Sequence, residues 1–226
     1  MKKYALAKTK NVKNAEKLLE DISKRPITEM VGLGLIWGPP GLGKTRTMQT
    51  IAFKKGFIQL KLDSSTTQRS FILRLRDAIS YRLNLSLGPS RGSSDKVFQE
   101  CISYLNEASV TIVIDEIDYA FRDKKLLGTI RDIVDDAIFT NIILIGMSNA
   151  KEKLSLANAH YFDRCNFFCN FLPLNQEDTT LVCNELCDFA VPENLCKKVF
   201  ERTSGNPRKI VKEIQALERT QGKNDN

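Results

Sequence analysis

The residues best suited to chemistry lie in the segment GPPGLGKT, Gly38–Thr45, which fits the phosphate-loop pattern G-x-x-x-x-G-K-[ST]. Its three glycines let the backbone turn tightly, so that successive N–H groups face phosphate oxygens. The start of the following helix adds partial positive charge. Lys44 can then reach the β- and γ-phosphates of ATP, and the Thr45 hydroxyl can ligate Mg²⁺. The segment follows an apolar strand and opens a helix, so the context predicts a nucleotide site rather than a bare turn.

A second set of reactive groups ends the apolar run VTIVIDEID, Val110–Asp118. Asp115 is placed at the carboxyl edge of the predicted strand to hold Mg²⁺, directly or through water. Glu116 can orient and activate a water molecule against the γ-phosphate. A helix-capping role would explain one carboxylate, but it would not explain why such a pair ends a buried strand beside a phosphate loop. We therefore predict catalysis by Glu116.

Polar side chains also end the run NIILIGMSNA, Asn141–Ala150. Ser148 or Asn149 could position the attacking water or sense the γ-phosphate. Polar residues also end many strands simply as turn formers. We favour Asn149 as the residue with a catalytic role.

The elements that must position these groups are short apolar runs separated by helical patterns. Near-continuous apolar strands alternating with crossover helices predict an α/β fold, a parallel five-stranded sheet with flanking helices. The predicted strands are 33–37, 57–61, 110–114, 141–146 and 166–171, and the predicted helices between them are 43–55, 66–85, 94–108 and 124–137.

Strand signals stop after Pro173, and three helical segments follow at 175–190, 192–203 and 207–220. They predict a small C-terminal helical lid. Asn206 is a good N-cap before Pro207 and would place Arg208 in the first turn of the last helix. We expect residues 1–173 to form a nucleotide-binding domain with an N-terminal helical extension, and residues 174–226 to form the lid.

Composition limits the class of protein. The longest apolar stretches are strand-sized, and Lys2 and Lys3 are not followed by the apolar region of a signal peptide, so we expect a soluble, cytoplasmic protein with no membrane partner. The six cysteines are expected to be reduced. The C-x-x-x-C spacing of Cys165/Cys169 and Cys183/Cys187 leaves a zinc site open beside the simpler interpretation of buried small side chains, and His160 adds little.

A formal net charge of +7 favours an anionic partner. Nucleic acid is the natural candidate, because many lysines and arginines lie far from the phosphate loop. A basic surface kept for solubility is the alternative.

The glycine-rich loop, the Asp-Glu pair, the polar strand end, FDRCNFF and GNPRK together resemble an AAA+ ATPase over nearly the whole chain. The resemblance implies that Arg164 is an arginine finger acting on ATP held by a neighbouring subunit. It also implies that Arg208 is a second sensor that reports nucleotide from the lid. An arginine acting in trans requires a head-to-tail homo-oligomer, either a closed ring or a helical filament.

Within this family, GLGLIWGPPGLGKT, the segment Asp115–Met147 and the FDRCNFF arginine resemble the transposition ATPases, which include the B protein of bacteriophage Mu and TnsC-like proteins. That resemblance implies an ATP-dependent filament that binds double-stranded DNA regardless of sequence and delivers it to a DDE-type transposase. The alternative is a replication initiator or helicase loader. A nucleotide-gated scaffold with little turnover is a third interpretation, against which the Asp-Glu pair argues.

In the related ATPases the segment after the second strand faces the central channel, and here it runs from Asp63 to Asn84. Hydroxyl, backbone and guanidinium groups at its start can bind phosphates without reading bases. A solvated helix face paired with local acids is the alternative. The predicted DNA contacts are Ser65, Thr66, Thr67, Arg69, Arg74 and Arg91, with Arg76 and Arg82 extending the basic strip. The predicted nucleotide contacts are Gly38, Pro39, Pro40, Gly41, Leu42, Gly43, Lys44, Thr45, Arg46, Asp115 and Arg208.

Overall fold

The computed structural model describes residues 5–89, 92–157 and 163–221. Within these ranges the strands form one parallel sheet in the order β2-β3-β4-β1-β5. Each strand begins and ends within one residue of its predicted bounds, and the predicted fold class is confirmed. The strands are β1 (Leu33–Trp37), β2 (Ile58–Lys61), β3 (Thr111–Asp115), β4 (Asn141–Ile145) and β5 (Phe167–Asn170).

Helices cover both faces of the sheet and then continue into the lid. Several begin at side-chain caps: Thr67 caps α3 in a reciprocal box with Ser70, and Asp123 caps α5. A 3-10 helix, Ile117–Arg122, follows β3. The α-helices are α1 (Lys10–Ser23), α2 (Lys44–Lys55), α3 (Gln68–Leu83), α4 (Ser94–Glu107), α5 (Lys124–Asp136), α6 (Ala150–Ala157), α7 (Gln176–Leu186), α8 (Glu193–Thr203) and α9 (Pro207–Gln221).

The two faces of the sheet are buried in separate layers. Alternate residues of a strand point to opposite faces, so Leu35 packs in the layer covered by α3, α4 and α5, while Ile36 packs with α1 and α2. Both residues are fully buried. This explains why the strands read as continuous apolar runs rather than as an alternation.

Strand order brings the reactive segments to one edge. The strand β4 pairs with both β1 and β3, with Leu144 in register with Leu35 and with Ile114. Because the strands are parallel, the loop after β1, the acids after β3 and the polar end of β4 all leave the same edge of the sheet.

The lid helices α7, α8 and α9 enclose a small apolar core of their own, with Cys183, Cys196 and Ile210 fully buried. The chain enters the lid at Leu174, whose N–H donates to the Gly205 carbonyl oxygen at 2.8 Å. A β-carbon at Gly205 would lie 1.9 Å from the Leu174 carbonyl oxygen. Glycine is therefore required where the last lid helix meets the linker.

Candidate functional site

The loop between β1 and α2 depends on glycine backbone conformations. Gly38, Gly41 and Gly43 all have positive φ, at 145°, 83° and 86°. At Gly38 a β-carbon would lie 2.4 Å from the Phe171 carbonyl oxygen, so a side chain is excluded by both conformation and space. The loop is thus held against the end of β5, and α2 begins directly after Gly43.

Lys44 is folded into this loop. Its side-chain nitrogen Nζ donates to the carbonyl oxygens of Gly38 at 2.6 Å and Pro39 at 2.9 Å, and the residue is buried. Burial lowers the pKa of the ammonium group, and the nearby carboxylates of Asp115 and Glu116 oppose that shift. Phosphate oxygens are the stronger acceptors that could replace these carbonyls.

The two acids after β3 differ in their surroundings. Asp115 is buried, and its Oδ1 accepts the N–H of Glu116 at 2.9 Å. Glu116 has left-handed backbone angles, φ 58° and ψ 43°, at the start of the 3-10 helix. Such a conformation costs a non-glycine residue about 1–2 kcal/mol. It turns the chain sharply after the strand, and both acids line the same cavity as Lys44.

This cavity has a volume of about 320 Å³ and lies between the phosphate loop, the ends of β3 and β4, and α9. Its groups fit Mg²⁺ and a phosphate chain: the Thr45 hydroxyl and the Asp115 carboxylate are hard oxygen donors, and Lys44 and Arg208 supply positive charge. Three predicted nucleotide contacts do not line the cavity. The carbonyl oxygens of Gly38 and Pro39 accept the Lys44 ammonium group, and Leu42 is buried. The predicted nucleotide contacts that line the cavity are Pro40, Gly41, Gly43, Lys44, Thr45, Arg46, Asp115 and Arg208, and the predicted catalytic residue Glu116 lines it as well.

A smaller apolar cavity of about 80 Å³ adjoins the first and shares Gly43, Arg46, Pro207 and Val211 with it. Its other walls come from the segment before α1, from Leu42 and from the lid residues Leu174, Val182 and Leu186. Sequence analysis missed this site, since most of its walls come from widely separated positions outside the phosphate loop and GNPRK.

The first turn of α1 is held by polar contacts to Leu172, just before the lid, and to the lid itself. The Asn11 side chain donates to the Leu172 carbonyl oxygen at 2.7 Å and accepts the Leu172 N–H at 3.2 Å. The buried Asp178 accepts the N–H of Lys10 at 3.1 Å. The apolar cavity therefore lies where the start of α1 and the lid are bonded to each other.

Arg208 lies where the sequence predicted, in the first turn of α9. Asn206 caps this helix, because its Oδ1 accepts the N–H groups of Arg208 at 3.0 Å and Lys209 at 3.3 Å. The Arg208 N–H also lies 3.1 Å from the Gly41 carbonyl oxygen. The lid thus contacts the phosphate loop directly, which is the arrangement that a nucleotide-reporting arginine needs.

The polar end of β4 differs from the expectation in detail. Gly146 and Met147 line the cavity, whereas Ser148 and Asn149 are exposed in the turn before α6 and are not among its lining residues. The Asn149 carbonyl oxygen accepts the Lys153 N–H at 2.9 Å. The contact of Ser148 or Asn149 with a γ-phosphate stays a prediction.

Arg164 lies in the turn before β5, and its Nε binds Asp135 Oδ1 of α5 at 2.8 Å. Burial raises the pKa of Asp135, and the positive charges of Arg164 and Arg131 oppose that shift. Arg164 does not line the cavity of its own chain. A role in trans stays a prediction.

The loop after β2 satisfies many of its own polar groups. Asp63 Oδ1 accepts the hydroxyls of Ser65 at 2.6 Å and Thr66 at 3.0 Å, and Thr67 caps α3. Arg74 donates to the Thr66 hydroxyl at 2.7 Å. The hydroxyls proposed for DNA are therefore engaged in shaping the loop.

The predicted basic strip is only partly formed. Arg69 is exposed and donates to the Ser94 hydroxyl at 3.1 Å, while Arg91 lies outside the described residues. The expectation for Arg76 is wrong: this side chain is buried between α3 and α4, where its Nε and Nη2 bind Glu100 at 2.8 and 3.1 Å. Arg76 lies on the face of α3 that packs against α4, so it is unavailable to a nucleic acid. Arg82 is exposed.

All six cysteines are free and buried, as the simpler interpretation held. Burial raises the pKa of both Cys101 and Cys165 to about 12. Within the described ranges no three or more histidine, cysteine, aspartate or glutamate side chains are grouped so that they could hold a metal ion, so the zinc alternative has no support, and His160 lies outside those ranges. None of the helices that the structure describes is long and apolar enough to cross a membrane.

Comparison with known proteins places this geometry in context. The family model described as an AAA domain matches residues 29–154, more than half of the chain. No curated protein matches the sequence.

Several solved structures share the fold of this chain, and their low sequence identities show a likeness of fold alone. A Walker-type ATPase of Pyrococcus abyssi is 18% identical, with 92% of this chain and 66% of that chain covered and a TM-score of 0.65. The ORC1 protein of Aeropyrum pernix in complex with DNA is 18% identical, with 94% and 61% covered and a TM-score of 0.58. Domain III of the replication initiation protein DnaA from Thermotoga maritima is 18% identical, with 97% and 90% covered and a TM-score of 0.60. The chain thus spans under two thirds of the first two proteins and most of the third.

Proposed function

Because the chain belongs to the family of AAA domains, we propose that it binds ATP with Mg²⁺ and hydrolyses the β–γ phosphate bond. The observation that carries this proposal is the convergence of Lys44, Thr45, Asp115 and Glu116 on one cavity between the phosphate loop and the lid.

Each side chain has a distinct task in this proposal. The loop amides and Lys44 hold the phosphate oxygens, and Arg208 adds a charge from the lid. Thr45 and Asp115 would hold Mg²⁺, which neutralises negative charge on the phosphates when bound. Glu116 orients the attacking water by accepting its hydrogen bond at a carboxylate oxygen.

The apolar cavity is proposed to take the nucleobase. It adjoins the phosphate cavity, so one nucleotide can occupy both. Its walls of Val12, Leu42, Val182 and Leu186 offer apolar contact to a flat ring. The proposal accounts for the meeting of the N-terminal residues and the lid beside the phosphate loop.

Nucleotide binding and turnover test the proposal. We expect Lys44→Ala to abolish Mg²⁺-ATP binding in calorimetry, while Glu116→Gln binds ATP with little phosphate release. Lys55→Ala is the matched control, since Lys55 is exposed at the far end of the same helix. Failure of the unmodified protein to bind ATP in the presence of Mg²⁺ would refute the assignment.

The cellular role that we propose is DNA-dependent, in replication initiation or helicase loading. It is supported by the formal charge of +7 and by two structures that share the fold, the ORC1 protein in complex with DNA and the replication initiation protein DnaA. Sequence-independent binding of double-stranded DNA fits the exposed Arg69, and Arg164 fits a ring or filament.

The finer transposition hypothesis stays a second candidate. It rests on the sequence resemblance of Asp115–Met147 and neighbouring segments to the transposition ATPases, and the comparisons favour replication instead. Electron microscopy with ATP and DNA separates the two candidates. A continuous helical coat that stimulates a DDE-type transposase would favour transposition, and a closed ring that recruits a helicase would favour replication.

A further inference from the structure

The acid Asp118, two residues after Glu116, contacts a wall of the proposed ATP cavity. Its side chain is 17% exposed in the 3-10 helix after β3. Its Oδ2 accepts the backbone N–H of Met147 at 2.8 Å, and Met147 lines the cavity. Its Oδ1 receives the Lys153 ammonium group at 3.3 Å. One carboxylate therefore joins the segment that carries Glu116 to the loop that leaves β4.

The packing around Gly146 makes this junction tight. A β-carbon at Gly146 would lie 2.3 Å from the Ala150 β-carbon, 3.0 Å from Ile117 Cγ2 and 3.3 Å from Asp118 Oδ2. The end of β4 therefore rests directly on the 3-10 helix. A side chain at position 118 can set where this end of the strand lies.

We propose that Asp118 is a positioning residue, which holds the Gly146–Met147 wall at a fixed distance from Glu116 through the Met147 amide. This inference rests on the proposed ATPase function. The bond between this amide and the Asp118 side chain ties the wall to the 3-10 helix. Ser148 and Asn149 follow Met147 directly, so the same bond sets where the polar strand end begins.

The ion pair with Lys153 has a smaller part in this arrangement. The Lys153 side chain is 41% exposed, so water screens the pair. The hydrogen-bond acceptor, rather than the negative charge, is thus the property of Asp118 that matters. Asparagine keeps an acceptor oxygen of the same reach, whereas alanine removes it.

The test compares Asp118→Ala, Asp118→Asn and Lys153→Ala by steady-state ATP hydrolysis per folded molecule. Small errors in the placement of reacting groups cost up to about 100-fold in rate. We expect Asp118→Ala to lower kcat about 10-fold or more, with KM for ATP changed less than about threefold. Asp118→Asn should restore most of kcat, and Lys153→Ala should match the unmodified protein.

Hydrogen exchange of the Met147 amide in the nucleotide-free protein gives a second readout that needs no activity. The amide should exchange faster in Asp118→Ala and stay protected in Asp118→Asn. Unchanged kcat and unchanged Met147 protection in Asp118→Ala would overturn the inference, as would an Asp118→Asn variant as impaired as Asp118→Ala. A protein without ATP turnover would refute the proposed function, and the exchange measurement would still decide whether Asp118 holds the wall.

Discussion

Removing Glu100 would leave the Arg76 guanidinium between α3 and α4 without its carboxylate. Arg76 is 8% exposed, and its Nε and Nη2 donate to the Glu100 carboxylate at 2.8 and 3.1 Å. We expect Glu100→Ala to destabilise the fold, because the Arg76 guanidinium is shielded from water and would lose the carboxylate that compensates its charge.

The exposure of the pair sets the size of the effect. Removing one partner of a fully buried ion pair costs about 3–5 kcal/mol. The Glu100 side chain is 32% exposed, so water can reach the remaining charge. We therefore expect the free energy of unfolding to fall by about 1–2 kcal/mol. For a chain of this length that corresponds to a drop in Tm of roughly 2–8 °C.

Urea unfolding and thermal melting check this value, with Glu107→Ala as the control because Glu107 is exposed on the same helix. The double variant Arg76→Met/Glu100→Met should be less destabilised than Glu100→Ala, since apolar side chains can replace a buried ion pair. Arg76→Met should also leave the salt dependence of DNA binding unchanged. A Glu100→Ala variant within about 0.5 kcal/mol of the unmodified protein would refute the reasoning.

Three further predictions concern the site. Arg164→Ala should lower ATP hydrolysis by about 1,000-fold or more, and mixing it with Glu116→Gln should restore part of the activity; no recovery in the mixture would exclude action in trans. Arg69→Ala should reduce the slope of log binding constant against log salt for duplex DNA by about one, and an unchanged slope would move the DNA contact elsewhere. Gly38→Ala should lose ATP binding and lower the free energy of unfolding by at least about 1–3 kcal/mol. Gly43→Ala, whose β-carbon meets nothing within 4 Å, should unfold at a Tm closer to that of the unmodified protein.

The sequence predicted the framework because the framework depends on local patterns. Each strand is an apolar run bounded by polar or turn residues, and a parallel sheet needs strands buried on both faces. The phosphate loop and Asp115–Glu116 each keep their reactive groups within a few residues. The cap at Asn206 placed Arg208 correctly for the same reason.

Features that depend on distant partners were not predictable in this way. The apolar cavity joins the segment before α1, which carries no motif, to lid residues outside GNPRK such as Val182 and Leu186. Asp118 was visible as a third acid, but its partner Met147 could not be read from spacing. Arg76 is different, because the helical spacing of Ile72, Leu75 and Ile79 already predicts that it lies on the buried face of α3. Its positive charge led us to place it in the DNA-binding strip instead.

The left-handed backbone angles of Glu116 place thermal stability in conflict with ATP hydrolysis at this position. Glycine or asparagine accepts these angles more readily than glutamate. Variants selected for heat resistance alone should accumulate such residues at position 116 and lose hydrolysis. Asn84 and Ser204 also have left-handed backbone angles, at the ends of α3 and α8, and neither lines the proposed ATP cavity. Glycine at positions 84 and 204 should be tolerated under selection for heat resistance and under selection for hydrolysis. Comparing these positions with position 116 therefore separates the cost of the backbone angles from the need for a glutamate carboxylate.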